Sequence, residues 1–339
     1  MVARSGWARL FQGPTQVRVL CGYSRVRNAR RTFVRQPAGG RREIDAIKSV
    51  TLTRVDAMNA PALKAEIERN VDAALAEDVG GGDWTARLLP EDQTARAAIV
   101  CRAAAVICGE AWVEATFRRL DPGMRVEWPV REGAQVRPGD VICRLEGRTR
   151  ALLTGERTAL NFLQLLSAVA TATRRYVDAV AGTRARILDT RKTLPGLRLA
   201  QKYAVTAGGG MNHRMGLYDG ILIKENHIAA AGSVSAALKR AQALAPKDVW
   251  IQIEVESHAQ LEEALAAGAR MVLLDNMTPA QMTEAVRISG GRAELEASGG
   301  ITLATVREIA ETGVDRISIG SLTKDIDAVD LSMRLLADR

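Results

Sequence analysis

Aromatic side chains make up only 4% of the 339 residues, with four Phe and four Tyr. A protein that binds single strands by stacking successive bases needs more rings than this. The four cysteines (Cys21, Cys101, Cys108 and Cys143) show neither a CxxC nor a metal-ligand spacing, which argues against a zinc site. Cys101, Cys108 and Cys143 each lie in an apolar, strand-like run, where a buried free thiol fits a reducing compartment. The longest run without a charged residue, Thr158 to Thr173, is 16 residues and contains Asn, Gln and several Thr. A membrane-spanning helix needs roughly 20 apolar residues, and no secretory apolar core is present either. Neither GxGxxG nor GxxxxGK follows any strand-like run, so the usual nucleotide cradles are missing. Lysine is missing between Lys64 and Lys192. This disposes of a swinging-arm carrier, although Glu132 to Val141 has the phrasing of half a lipoyl- or biotinyl-type β-sandwich.

What is present is a soluble globular composition, 47% apolar and 25% charged, long enough for two domains. The net charge of +8 is unevenly spread. Residues 1–58 hold twelve Lys and Arg against three Asp and Glu, leaving 35 basic and 36 acidic side chains elsewhere. The body is therefore not a basic, nucleic-acid-like surface, and any cationic patch in it is local. The first 58 residues are Arg-rich, acid-poor and without a regular period, and a disordered basic extension is expected there. They fit an organellar transit peptide, or translated sequence upstream of the working start. The second is preferred because Met58-Asn-Ala-Pro opens directly onto a helix. A basic tail on paired domains also fits a nucleic-acid-binding protein, which the near-neutral body and the scarcity of rings count against.

From Pro61 to Asp78, Leu63, Ile67, Val71, Ala74 and Leu75 recur at helical steps. Residues 94–150 read as strands: TARAAIVCRAAAVICG, MRVEWPV and VICRLEGRTRALL, a small mixed domain with a covering helix. Thr154 is the expected N-cap of a long helix to Ala181, with Arg157 in its first turn against the helix dipole, a hint that an anion meets it. Beyond it, apolar runs begin near Ile187, Ile221, Ile251, Met271, Ala293 and Ile317, with helices expected over 233–245, 258–267, 279–288 and 302–312. Strand–helix alternation at this spacing gives a parallel sheet, and six units point to a closed or nearly closed β/α barrel, with an open doubly wound sheet as the alternative.

In such a barrel the chemistry sits at the C-terminal strand ends. Two of these ends run straight into charge: Asp189-Thr190-Arg191-Lys192 and Lys224-Glu225-Asn226-His227. The stretch from Arg186 to Ile228 also carries Arg198, Lys202, His213 and Arg214, opposed by Asp189, Asp219 and Glu225 alone. Strand alternation puts Gln252, Glu254 and Glu256 on one face, so Glu254 is an inward candidate, and Asp275 at the next strand end pairs with it. Ser298-Gly299-Gly300 before a helix starting at Thr302 makes a phosphate cradle, which Gly320 can complete. Such a ring suits a sugar phosphate bearing a pyrophosphate, plus a second small anion. His213 fits a general base, a hydrogen-bond donor or a structural residue; His227 reads as structural and His258 as surface.

These motifs, in this order, resemble those of the quinolinate phosphoribosyltransferases, or nicotinate-nucleotide pyrophosphorylases (carboxylating). The resemblance is carried by Thr190-Arg-Lys-Thr-Leu-Pro-Gly196, Gly209-Gly-Met-Asn-His213-Arg214, Ile223-Lys224-Glu-Asn-His227, Glu254-Val-Glu256, Leu274-Asp275-Asn276, Ala297-Ser-Gly-Gly-Ile301 and Ser318-Ile319-Gly320. It runs from about Ala60 to the C-terminus. It implies an α/β fold: an N-terminal α+β sandwich-like domain (59–158), an incomplete β/α barrel (159–320) and a last segment (321–339) returning to the first domain. It implies that quinolinate and 5-phosphoribosyl 1-pyrophosphate give nicotinate mononucleotide, pyrophosphate and carbon dioxide, with Mg²⁺ held through the pyrophosphate. Arg157, Thr190, Arg191, Lys192, His213, Arg214 and Lys224 would bind quinolinate, Arg157 coming from a neighbouring subunit. Lys192, Lys224, Glu254, Asp275, Ser298, Gly299, Gly300, Ser318, Ile319 and Gly320 would bind the phosphoribosyl pyrophosphate. Lys192, Lys224, Glu254 and Asp275 would be the catalytic set. A cytoplasmic homodimer or larger homo-oligomer with a shared site, and no nucleic-acid or membrane partner, complete the expectation. Molybdenum-transport paralogues share the signature and nicotinate phosphoribosyltransferases the architecture; five candidate cations around one ring favour the dicarboxylate.

Overall fold

The computed structural model describes residues 60–337, so the basic extension expected over 1–58 lies outside the described residues. Helix α1 (Ala60–Val79) buries Ile67, Val71 and Leu75, the stripe its period predicts. Buried Asn70 on its inner side accepts the Trp112 indole proton at 3.1 Å, tying it to the next helix.

An antiparallel sheet follows. Strands β1 (Thr94–Cys101), β3 (Arg125–Glu127), β5 (Val141–Arg148) and β12 (Leu331–Leu336) lie in the order β12-β1-β5-β3. The last strand therefore comes back to lie beside the first, Leu331 opposite Cys101. Strands β2 (Ala105–Val106) and β4 (Gln135–Val136) form a separate two-stranded ribbon. Alternation along β1 and β5 sends Ile99, Cys101, Cys143 and Leu145 into a core with Phe117, Leu152 and Leu160. Each such Leu or Ile contributes about 1.5–3 kcal/mol by leaving water. The cysteines of this region are buried and free.

Two sequence expectations fail here. Residues 110–120, which lie between the strand runs of a region read as strands, form helix α2 (Glu110–Leu120), whose buried Trp112, Val113, Thr116 and Phe117 follow the helical period. Helix α3 (Thr149–Ala179) starts five residues before Thr154, because β5 runs into it without a loop and Arg148 is its N-cap. The Thr154 hydroxyl instead donates to Asp83 at 2.9 Å. Arg157 is then in the third helical turn and exposed, so the dipole argument for an anionic partner no longer applies to it. Helix α3 packs on α2 through Gly155, where a Cβ would stand 2.9 Å from Phe117 and Leu120. It then continues under the second sheet, burying Leu166, Val169 and Ala170.

That second sheet is parallel throughout: β6 (Arg186–Leu188), β7 (Gly220–Ile223), β8 (Trp250–Val255), β9 (Met271–Asp275), β10 (Glu294–Ser298) and β11 (Arg316–Ser318), ordered β6-β11-β10-β9-β8-β7. Strands β6 and β7 are its two edges, so this is an incomplete β/α barrel. Met211 makes a parallel bridge to Leu188 beside the open seam. The covering helices are α4 (Arg198–Ala207), α5 (Glu225–Ala231), α6 (Val234–Leu244), α7 (His258–Ala266), α8 (Pro279–Ser289), α9 (Val306–Glu311) and α10 (Ser321–Lys324). Ser257 and Thr278 cap α7 and α8 by accepting the amides of Gln260 and Gln281. The helix expected over 302–312 is shorter than predicted: residues 302–305 form a turn closed by the Thr302 carbonyl, and α9 begins at Val306. No helix of the described residues is long and apolar enough to cross a membrane.

Candidate active site

The C-terminal strand ends form one continuous rim, which can be walked contact by contact. At β6, the Thr190 hydroxyl accepts the Lys192 amide at 3.1 Å and curls the loop back. Thr323 in α10 donates to the Lys192 carbonyl at 2.7 Å. The Lys192 side chain lies on Gly320, after β11, so closely that a Cβ there would be 3.1 Å from its Cδ. At the far edge, Lys224 after β7 pairs with Glu254 on β8 at 2.6 Å. Glu254 is 7% exposed, and burial raises its pKa against the opposing pull of Lys224, with Asp275 on β9 raising it further. Asp275 is in register with Ser298 on β10. The Asn276 amide donates to the Ser298 carbonyl at 3.1 Å. Gly299 fills the step between them: its φ is +102°, and a Cβ would sit 2.2 Å from the Asn276 side-chain oxygen. Gly300 faces open space.

Arg191, Lys192, His213, Arg214, Lys224, Glu254, Asp275, Ser298, Gly299, Gly300 and Gly320 gather at this rim. Among the described residues, Arg157 makes no hydrogen bond or ion pair with it; it lies exposed on α3. Ser318 and Ile319 are framework: the Ser318 hydroxyl donates to Ala297, the Ile319 amide to Leu188, and the Ile319 side chain is 1% exposed in the core. The cradle at Ser298–Gly300 is followed by a turn rather than a helix, so α9 does not aim its dipole at an anion there. His227 accepts the Lys224 amide at 3.0 Å and completes the cap of α5, while His258 pairs with the Gln281 carbonyl.

Lys202 does not join the cations. It is completely buried, paired with Asp189, and bonded to the His213 carbonyl at 3.3 Å. Asp189 also accepts the Asn212 amide group at 2.6 Å and the His213 backbone amide at 2.9 Å. Burial pushes Asp189 up and Lys202 down, each opposed by the attraction of the other. This buried cluster fastens residues 211–213 to the end of β6 across the seam. The chain then presents Arg214 beside Arg191. Desolvation lowers the Arg214 pKa, with the facing Arg191 charge adding to it and Asp219 opposing both. Arg191 Nε is buried without a hydrogen-bond partner, and among the described residues neither guanidinium has an ion-pair partner. Two facing guanidiniums without a carboxylate between them make a seat for an anion with more than one negative group.

Sequence reasoning passed over Gln252 and Glu296. Both point into the barrel, 1% exposed, and Gln252 Nε2 donates to Glu296 Oε2 at 3.0 Å. The available signal was alternation: Gln252 shares a strand face with Glu254, and Glu296 with Ser298.

Residues 83–167 match the family description "Quinolinate phosphoribosyl transferase, N-terminal domain", and residues 169–334 its C-terminal domain. The chain is similar to the probable nicotinate-nucleotide pyrophosphorylase (carboxylating) of Bacillus subtilis: 41% identity over 268 residues, 79% of this chain and 93% of that one. Quinolinate phosphoribosyltransferase (decarboxylating) 1b of Nicotiana tabacum is 39% identical over 285 residues, 78% of this chain and 81% of the relative. Among solved structures, nicotinate-nucleotide pyrophosphorylase from Francisella tularensis superimposes with a TM-score of 0.78 at 41% identity, covering 80% of this chain and 97% of that one.

Proposed function

Since the chain belongs to the quinolinate phosphoribosyltransferase family, we propose a role for each residue of the rim in that reaction. The enzyme transfers the phosphoribosyl group of 5-phosphoribosyl 1-pyrophosphate to quinolinate with decarboxylation, yielding nicotinate mononucleotide, pyrophosphate and CO2, a step of de novo NAD biosynthesis. The observation that carries the assignment is the facing pair Arg191 and Arg214, which make no ion pair among the described residues, Asp219 acting on Arg214 only at longer range, and which Lys192 joins at the rim. They hold the two quinolinate carboxylates, with Thr190 shaping their loop and Arg157 of the partner subunit closing the seat. A homodimer or larger homo-oligomer follows from that shared residue.

Lys192 and Lys224 lie on either side of the leaving pyrophosphate. Glu254 and Asp275 accept from the ribose hydroxyls, and Ser298, Gly299, Gly300 and Gly320 cradle the remaining phosphate. Bond breaking puts positive charge on the ribose carbon and negative charge on pyrophosphate, so fixed charges aimed at both lower the barrier. The pyridine nitrogen attacks that carbon, becomes cationic, and then serves as the electron sink when the adjacent carboxylate leaves as CO2. No side chain acts as a nucleophile.

Mg²⁺ fits the donor set in one way only. Among the described residues no group of three His, Cys, Asp or Glu forms a cage. Glu254 and Asp275, hard oxygen donors at adjacent strand ends, can supply one or two ligands while substrate phosphates supply the rest. When bound, the ion supplies charge neutralisation on the pyrophosphate. The buried free thiols Cys101, Cys108 and Cys143 support a reducing, cytoplasmic setting.

Steady-state turnover of quinolinate and nicotinate under identical conditions tests the reading. Quinolinate is expected to be the substrate, because a monocarboxylate leaves one of the facing guanidiniums without its counter-charge; preference for nicotinate would reject it.

A further inference from the structure

His213 stands at the rim but is turned away from it. The backbone amide of Arg214 donates to its Nδ1 at 2.8 Å, which places the ring proton on Nε2. Nε2 in turn meets Gln252 Oε1 at 3.0 Å and Glu296 Oε1 at 3.5 Å. The side chain is 8% exposed, and the Trp250 ring closes its edge at 5.2 Å. Both ring nitrogens are thus occupied by protein, and neither is available to a substrate carboxylate.

The partners form a directed chain through the barrel lumen. The Arg214 amide donates to His213, His213 to Gln252, and Gln252 to Glu296 at 3.0 Å. It ends on a carboxylate 1% exposed whose Oε1 is buried and has no hydrogen-bond partner. A buried carboxyl group is costly unless it is hydrogen-bonded, and that requirement ties it to Gln252 and through it to His213. What it orders is the neighbour of His213: Arg214, whose Nη1 also donates to the Gly220 carbonyl at 3.2 Å. Gly220 lies under Trp250, where a Cβ would be 2.5 Å from the indole. The segment is held from the other side by Asp189, which accepts the His213 amide.

We infer that Gln252 and Glu296 are positioning residues for quinolinate binding, acting through His213 to fix Arg214, and that His213 itself does not touch the substrate. This rests on the assignment of Arg214 to the quinolinate seat. In metal sites, outer partners that orient a ligating group contribute about 10–100-fold to affinity, and an effect of that order is expected here.

Two measurements on the full-length protein test it. The first is histidine-selective ¹⁵N NMR, which reads three rings only (His213, His227 and His258), with His213 assigned from its loss in His213→Asn. The Nε2–H form of His213 is expected in the free protein and unchanged at saturating quinolinate; conversion to the Nδ1–H or doubly protonated form on adding quinolinate overturns the inference. The second is kinetics of Glu296→Gln and of the double variant Gln252→Met/Glu296→Met, which removes the buried charge together with its partner. The KM for quinolinate is expected to rise about 10–100-fold, with kcat and the KM for phosphoribosyl pyrophosphate within about 3-fold. Equal losses in all three constants would mark a merely structural role and reject the relay, as would an unchanged KM for quinolinate. Failure of the functional reading looks different: the wild-type protein turns over no quinolinate, while the tautomer in the free protein still decides whether the relay exists.

Discussion

The antiparallel sheet and the parallel barrel bury different kinds of side chain. In the antiparallel half, Asp121 is the only carboxylate below a tenth exposed among the described residues. It accepts the Arg148 and Gly123 amides and the Arg148 guanidinium, and these bonds hold its pKa down. In the barrel, Asp189, Lys202, Glu254 and Glu296 are all buried, and burial raises both Asp189 and Glu254. A carboxylate with a lowered pKa is one whose surroundings were built to satisfy it. Those with raised values sit where the fold tolerates an unfavourable charge, and here they cluster under the rim that faces substrate. One half supplies stability, and the other uses some of it to hold charge in place.

Lys202→Met probes that contrast most severely. It leaves Asp189 buried without its counter-charge, with an expected loss of about 3–5 kcal/mol by chemical denaturation. Activity falls with it, since the same pair anchors residues 211–213. A loss below about 1 kcal/mol would mean the pair is not what fastens the seam. Arg191→Ala and Lys192→Ala come next. Each is expected to keep the fold and lower kcat/KM roughly 10²–10³-fold, or about 2.7–4 kcal/mol; near-wild-type turnover in either would undo the site assignment. In the antiparallel half, Ile99→Val removes one buried methylene, with an expected cost of about 0.5–1.5 kcal/mol and no change in kcat or KM. A kinetic effect there would show that the two halves are coupled more tightly than their cores imply.

The smallest effect tests an exception to the contrast. Glu110, at the start of α2, is raised to about 7 by burial and by the Glu132 carboxylate beside it. Its Oε1 is buried without a hydrogen-bond partner. A carboxyl whose folded pKa exceeds its unfolded one loses stability as pH rises from the unfolded value through the folded one. Glu110→Gln is therefore expected to raise Tm more at pH 8 than at pH 4.5, as thermal melts at the two pH values would read. An equal gain at both would mean that ionisation of Glu110 carries no cost.

The strands of the barrel were legible because buried parallel strands are short β-branched runs bounded by glycine and charge, as at Ile221-Leu222-Ile223. Glu254 was legible through alternation alone. Helix α2 was not, because its apolar residues follow directly on a strand-like run and its N-cap, Gly109 at φ +124°, turns the chain without a side-chain cap. Thr154 misled for the opposite reason: a good capping residue stands in mid-helix, its hydroxyl on Asp83. Lys202 looked like one more site cation, since its partner lies 13 residues upstream and only the fold brings the two together.

The order and type of the barrel elements, the glycine at the step after β10 and the chemical character of the rim follow from local sequence, because period, backbone freedom and charge are properties of neighbouring residues. Which cation meets substrate and which is locked inside was decided by the tertiary structure alone. A polar side chain goes to whatever partner the fold puts within its reach: for Lys202 that is Asp189, just past the end of β6, and for His213 it is Gln252 and Glu296 on distant strands.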